Sequence, residues 1–231
     1  MASQAVRRKT RIVCISDTHN NTPKLPPGDV LIHAGDLTNQ GSYDELERSV
    51  GWLEKAPFEV KIVVAGNHEI TLDEQFYEEK GSRWKWPAWQ SPRGCMKLLR
   101  ESSTITYLEN ESRTVYLERP SGPQTCFKVF GSPSTPGTGN WAFEYQEKSA
   151  ERLWAAIPED ADIVVSHTPP EGHCDTATKD DRYENRIESV IINAAFLGPR
   201  LNGRTTGTNK PIVVDIDLPV WKVDNKDEDV R

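Results

Sequence analysis

The sequence predicts an α/β protein: a parallel sheet covered on both faces, followed by a second, antiparallel sheet. Three observations predict it. Four short runs rich in Val and Ile, RIVCIS (11–16), VLIHAG (30–35), KIVVAG (61–66) and DIVVSH (162–167), are apolar without alternation, as strands are when both faces are buried. The stretch between the second and third run has helical periodicity. Beyond the third run lie shorter runs separated by turn residues, which read as antiparallel strands.

Taken in order, each of the four runs is bounded by Pro, Gly, Asp or Asn, residues that end strands. In GSYDELERSVGWLEKAP (41–57), Leu46, Val50 and Leu53 fall on one helical face and Ser42 stands where an N-cap is needed. Strand, helix, strand implies a right-handed crossover and parallel pairing. Residues 70–150 are less regular. Trp84, Trp86 and Trp89 fall within six residues; packing beneath a long loop is the expected role, and covering a substrate entrance is the alternative. A short helix is expected near Cys95–Glu101. ITYLEN (105–110), RTVYLE (113–118) and CFKVFGSP (126–133) are expected as antiparallel strands of the second sheet. A helix is expected over EKSAERLWAAI (147–157), from the spacing of Ala150, Leu153, Trp154 and Ile157. SVIINAA (189–195) and KPIVVDIDLP (210–219) are two further strands. This gives a single domain over 10–221 and a charged C-terminal tail over 222–231, expected to fray.

A chain of 231 residues is long enough to bury a core without staples. Its net charge of −7 and pI near 5.3 argue against a general binder of phosphate backbones, whose footprint is a basic stripe. No stable nucleic-acid partner is expected. Cys14, Cys95, Cys126 and Cys174 lie far apart with no CxxC spacing, as reduced thiols of an intracellular protein do. The basic residues near the N-terminus are not followed by the apolar region of a signal peptide, and no run approaches the roughly 20 apolar residues of a membrane span. A cytoplasmic protein without a membrane partner is expected; the oligomeric state is not legible.

The chemistry lies where the strands end. The first run finishes in ISDTHN, with Asp17 and His19; the second brings His33 and Asp36, the third Asn67 and His68, the fourth His167. In open α/β sheets the ligand site lies beyond the carboxyl ends of the strands, so these residues are expected in one crevice. Singly, Asp17 or Asp36 reads as a turn cap and His33 as a half-buried core histidine. Together, Asp, His and Asn form a donor set suited to divalent Mn, Fe, Zn or Ni. All five histidines of the chain fall in these endings or just after them, His173 being the last. Asn140 and Trp141 could rim the pocket, and His173 and Asp175 could face it or close a turn.

The ordered blocks DTH (17–19), GDLTNQG (35–41), GNHE (66–69) and SHTPP (166–170) resemble the calcineurin-like metallophosphoesterase superfamily, and HAGDLT, FGSPSTP and HTPPEGHCD resemble its branch of small metallophosphoesterase-domain proteins. The resemblance implies a sandwich of two mixed β-sheets flanked by helices and a dinuclear divalent-metal centre that hydrolyses small phosphoric esters, as a phosphomonoesterase or phosphodiesterase. It implies that Asp17 and His19 bind one metal and Asn67 and His167 the other, with Asp36 bridging. His68 would sit over the substrate, stabilising the phosphoryl charge or protonating the leaving oxygen, so that His68 and Asp36 are the implied catalytic residues.

One motif of that superfamily, Gly-His-x-His, is absent. Between Asp175 and SVIINAA there is no room for the helix and strand that a parallel crossover needs, so an internal deletion of a helix, a strand and the GHxH loop is expected. Each metal would lose one imidazole. The alternative function is therefore a catalytically inactive metal-binding or interaction protein that keeps the fold.

Overall fold

The computed structural model describes residues 6–137, 139–169, 183–185, 190–197, 200–201, 204–205 and 207–222. His173, Cys174, Asp175 and the tail from 223 lie outside them. In chain order the elements are β1 (Arg7–Ile15), β2 (Val30–Ala34), α1 (Tyr43–Lys55), β3 (Val60–Val64), α2 (Glu74–Lys80), α3 (Pro92–Arg100), β4 (Ile105–Tyr107), β5 (Glu111–Tyr116), β6 (Cys126–Ser132), β7 (Thr135–Pro136), β8 (Glu144–Tyr145), α4 (Ala150–Trp154) and β9 (Ile163–Ser166). The short pairs β10 (Tyr183–Asn185) with β11 (Val190–Ile192) and β12 (Arg200–Leu201) with β13 (Arg204–Thr205) follow, and β14 (Ile212–Pro219) closes the described chain.

Two sheets organise the molecule. The first has the order β14-β1-β2-β3-β4, the second β5-β6-β9. The stretches Ile12–Ile15 of β1, Val30–Ile32 of β2 and Ile62–Val64 of β3 are apolar without a break because alternate residues meet different partners. Val13, Ile15, Leu31 and Val63 pack with Leu46, Val50 and Leu53 of α1 and with Cys95 and Leu99 of α3. Ile12, Cys14, Val30, Ile32, Ile62 and Val64 pack instead with Val115, Leu117, Phe127, Val129 and Val165 of the second sheet and its flank. Helix α1 starts where Ser42 and Glu45 form a reciprocal capping box: Ser42 Oγ accepts the Glu45 amide and Glu45 Oε2 accepts the Ser42 amide. Such a cap is worth about 1 kcal/mol.

Two expectations are corrected. ITYLEN does not join the second sheet: β4 pairs parallel with β3, Lys61 opposite Ile105 and Val63 opposite Tyr107, because α3 acts as a crossover that returns the chain in the same direction. The fourth apolar run does not extend the first sheet either. β9 pairs parallel with β6, so its polar end reaches the crevice from the opposite side. β5 and β6 are antiparallel as expected. Helix α2 was not expected; it is short, capped by Asp73 Oδ1 on the Phe76 amide, and buries two adjacent aromatics, Phe76 and Tyr77. Trp84 and Trp86 pack on these two rings, as the loop-packing reading expected, while Trp89 stays largely exposed.

Candidate metal centre

The site is a set of turns held in shape by their own backbone. Asp17, His19, Asn20 and Asp36 all have positive φ, at 54°, 43°, 67° and 54°. Non-glycine residues occupy this region at a cost of order 1–3 kcal/mol each, and such strain clusters at functional sites. It persists here because the DTHN turn lies along GDL: the amides of Asp17, His19 and Asn20 donate to the carbonyls of Gly35, Asp36 and Leu37 at 2.9, 3.0 and 2.8 Å. Gly66 is required at its position, since a Cβ there would meet the Asp36 amide nitrogen at 2.5 Å and His167 Cε1 at 2.7 Å. Below the turns, fully buried Glu69 accepts from the Gly66 amide (2.7 Å), the Thr38 amide (2.9 Å) and Thr38 Oγ1 (2.8 Å). It ties GNHE to GDLT. Burial, reinforced by Asp36, raises its carboxyl to about 7 against the pull of these three donors.

Asp36 stands at the centre with a different donor group on each oxygen. Its Oδ1 is 3.4 Å from His167 Nε2 and accepts the His68 amide at 2.9 Å; its Oδ2 is 3.5 Å from His19 Nε2 and 4.0 Å from His68 Nε2. Ligand-type atoms of Asp17, Asp36 and His167 lie within 4.8 Å of one another, and so do those of His19, Asp36 and His68. Asn67 Oδ1 lies 3.1 Å from His167 Nε2. The structure thus brings together every residue of the expected ligand set and His68 with them. The close groups divide the donors differently from the resemblance, pairing Asp17 with His167 and His19 with His68.

All three imidazoles are oriented the same way. Nδ1 of His19, His68 and His167 meets the backbone carbonyls of Thr38 (3.0 Å), Asn39 (2.6 Å) and Ala34 (2.8 Å). A carbonyl only accepts, so each Nδ1 carries the proton and each Nε2 turns its lone pair into the crevice, the arrangement of metal-ligating histidines.

A neutral His167 therefore aims a lone pair at two acceptors, Asp36 Oδ1 and Asn67 Oδ1. Only a cation or a proton between them resolves the clash. A proton there is favoured by the same groups: burial opposes the charged ring, but Asp36 and Asp17 act against it and the His167 pKa is raised. Burial lowers His19 and raises Asp17, the latter against His167. The donor chemistry and spacing fit divalent cations, whose ligands at about 2.0–2.2 Å must stand roughly 3–4 Å apart.

Other expected residues fall elsewhere. His33 is fully buried rather than half-buried and is no member of either group; its Nε2 shares a hydrogen bond with Thr18 Oγ1 at 2.9 Å, and its Nδ1 has no partner. Burial depresses its pKa to about 3. Trp141 reaches the site, its ring 4.4 Å from that of His68 with 30° between the planes, whereas the Asn140 amide donates to Glu144. Glu69 was missed as a positioning group. The signal that could have found it is an acidic residue directly after two candidate donors in GNHE.

Comparison with known proteins bears on this geometry. A family model described as calcineurin-like phosphoesterase matches residues 10–191. The chain is 32% identical over 241 residues to metallophosphoesterase domain-containing protein 1 of Homo sapiens, covering 91% of this chain and 72% of that protein. It is 35% identical over 252 residues to UPF0046 protein C25E10.12 of Caenorhabditis elegans, covering 93% and 83%. Both spans exceed the 231 residues of the chain, so these relatives carry residues within the aligned span that this chain lacks. A third relative, probable rhamnogalacturonate lyase C of Emericella nidulans, is 44% identical over 178 residues, 75% of this chain but only 15% of that protein. One solved structure aligns with TM-score 0.52 at 11% identity, covering 80% of this chain and 90% of the other, and supports the fold alone.

Proposed function

Because the chain belongs to the calcineurin-like phosphoesterase family, a family of metal-dependent phosphoester hydrolases, we propose that it hydrolyses small phosphomonoesters or phosphodiesters at a dinuclear centre. The observation that carries this reading is the single carboxylate of Asp36 shared by two groups of donors, one on each oxygen. Two divalent ions, when bound, clamp phosphoryl oxygens and activate water for in-line attack; by donor type they are Mn, Fe, Zn or Ni.

The chain's own residues supply the rest. Asp36 would offset the repulsion between two like charges, and the His68 amide holds its carboxylate in place. Asp17, Asn67 and His167 complete one side, and His19 the other. His68 has the more open imidazole, with its side chain 20% exposed against 11% for His19 and 7% for His167, and its Nε2 stands farthest from Asp36. With Nδ1–H donated to the Asn39 carbonyl, the doubly protonated ring can present its second proton, at Nε2, to the leaving oxygen. The acidic charge balance and scattered cysteines support a cytoplasmic enzyme without nucleic-acid or membrane partners; among the described residues no helix is long and apolar enough to cross a membrane.

The test compares wild type with His68→Asn for bound metal and for hydrolysis of an aryl phosphate. The variant is expected to keep its metal and to lose turnover by about 10²–10⁴-fold, the usual contribution of a general acid. Parallel loss of metal would reassign His68 as a ligand. The missing GHxH segment, supported by the longer aligned spans of the relatives, favours a second reading in which metal binds without hydrolysis. Stoichiometric metal in a wild type that turns over no phosphoester would select it.

A further inference from the structure

We infer that Trp141 is a positioning residue for His68, an inference that rests on the role proposed for His68 as proton donor. The indole ring lies 4.4 Å from the imidazole, 30° from parallel, while His19 meets the same imidazole edge-on at 4.6 Å. With Nδ1 tied to the Asn39 carbonyl at 2.6 Å, the His68 ring is fixed by one hydrogen bond and two ring contacts. Asp36 stands 4.0 Å from its Nε2, too far for a hydrogen bond.

Trp141 is itself held from both ends of α2, the helix that follows GNHE. At the N-terminus Asp73 caps Phe76 with one carboxylate oxygen and accepts the Phe143 amide with the other at 2.8 Å. At the C-terminus Lys80 donates to the Gly139 carbonyl. The segment 139–143 is pinned on both sides of the tryptophan. Trp84 packs on the indole at 5.9 Å, and Phe76, Tyr77 and buried Ala142 belong to the same apolar cluster. The aromatic cluster of the middle segment thereby has a use beyond filling space: it is the wall against which the acid is set. Aromatic pairs of this geometry are favourable beyond their burial, and a displacement of about 1 Å in a catalytic group can cost on the order of 10²-fold.

The test uses Trp141→Leu, which keeps apolar bulk but no ring face, and Trp141→Phe, which keeps a ring. Two measurements are made on each. With Mn²⁺ and p-nitrophenyl phosphate, Leu should lower kcat by about 10- to 10²-fold at unchanged KM, and Phe should restore most of it. In chelator-treated protein, the proton resonance of the His68 ring, identified by its absence in His68→Asn, should be displaced by ring current in wild type and in Phe and should lose that displacement in Leu. A wild-type kcat in Leu, or a His68 resonance that does not move, would overturn the inference. If wild type hydrolyses no ester, the proposed activity fails while the resonance still decides whether the indole sets the imidazole.

Discussion

Replacing His33 by Gln should flatten the acid dependence of stability, because His33 is a titratable group sealed in the core. Its pKa is pushed down to about 3 by burial, with Asp36 opposing and His167 and His19 assisting. The unfolded chain binds a proton at this side chain below about pH 6.5, and the folded chain does not until near pH 3. The sign follows. The folded pKa is depressed, so the contribution is fully present above the unfolded value and is lost as pH falls toward the folded one. Each pH unit in that window is worth about 1.4 kcal/mol, which makes roughly 2 kcal/mol between pH 6.5 and 5. Gln offers an amide N–H toward Thr18 but carries no titrating group. Urea unfolding of chelator-treated wild type and variant, followed from neutral pH to about pH 5, reads the difference directly. Wild type should lose stability more steeply than the variant by that amount. Parallel curves would refute both the burial and the neutral state assigned to His33.

Asp36→Ala should remove nearly all bound Mn or Fe in metal analysis of purified protein, because both donor groups lose their common member; unchanged stoichiometry would exclude a shared centre. Inserting a helix, a strand and a Gly-His-x-His loop between Asp175 and Ile187 should raise metal affinity, turnover and thermal stability together. A gain in stability without a gain in metal binding would support the missing strand but not the missing ligands.

Much of this was legible in the sequence because strand interiors and strand ends carry separate messages. The continuous apolar runs of β1, β2 and β3 announce two covered faces, and the structure provides α1 with α3 on one and the second sheet on the other. Ser42 and Leu46, Val50 and Leu53 fixed α1 by cap and period. Asp17, His19, Asp36, Asn67, His68 and His167 converge because each follows a strand whose carboxyl end points into the same crevice. Which sheet each strand joins is not written locally. The run at 162–167 reads like the other three, yet β9 pairs with β6, a choice made by long-range packing. The assignment of β4 failed for the same reason. His33 sits among candidate donors in sequence but on the interior side of β2, and periodicity in a strand buried on both faces cannot tell those sides apart. Trp141 lies 73 positions from His68, and the rings meet through tertiary contacts such as the pinning of 139–143 by α2.

The absence of a GHxH motif from the sequence bears on the proposed reaction by two routes that meet at His68. On the Oδ1 side of Asp36 the described donors are Asp17, Asn67 and His167; on the Oδ2 side they are His19 and His68. Three protein ligands suffice for a catalytic metal, and the Oδ1 side reaches that number without help. The Oδ2 side reaches it, among the described residues, only by counting His68. An imidazole whose Nε2 lone pair is given to a cation cannot carry a proton there, so a metal held that way would silence the proposed acid. An imidazole kept free for the proton leaves the same metal with His19 and a shared carboxylate. Under the proposed function, a missing ring nitrogen would therefore cost more than affinity: it would set metal binding and proton donation in competition for one side chain. The contact with Trp141 bears on the second use, since it holds the imidazole against the indole at 4.4 Å.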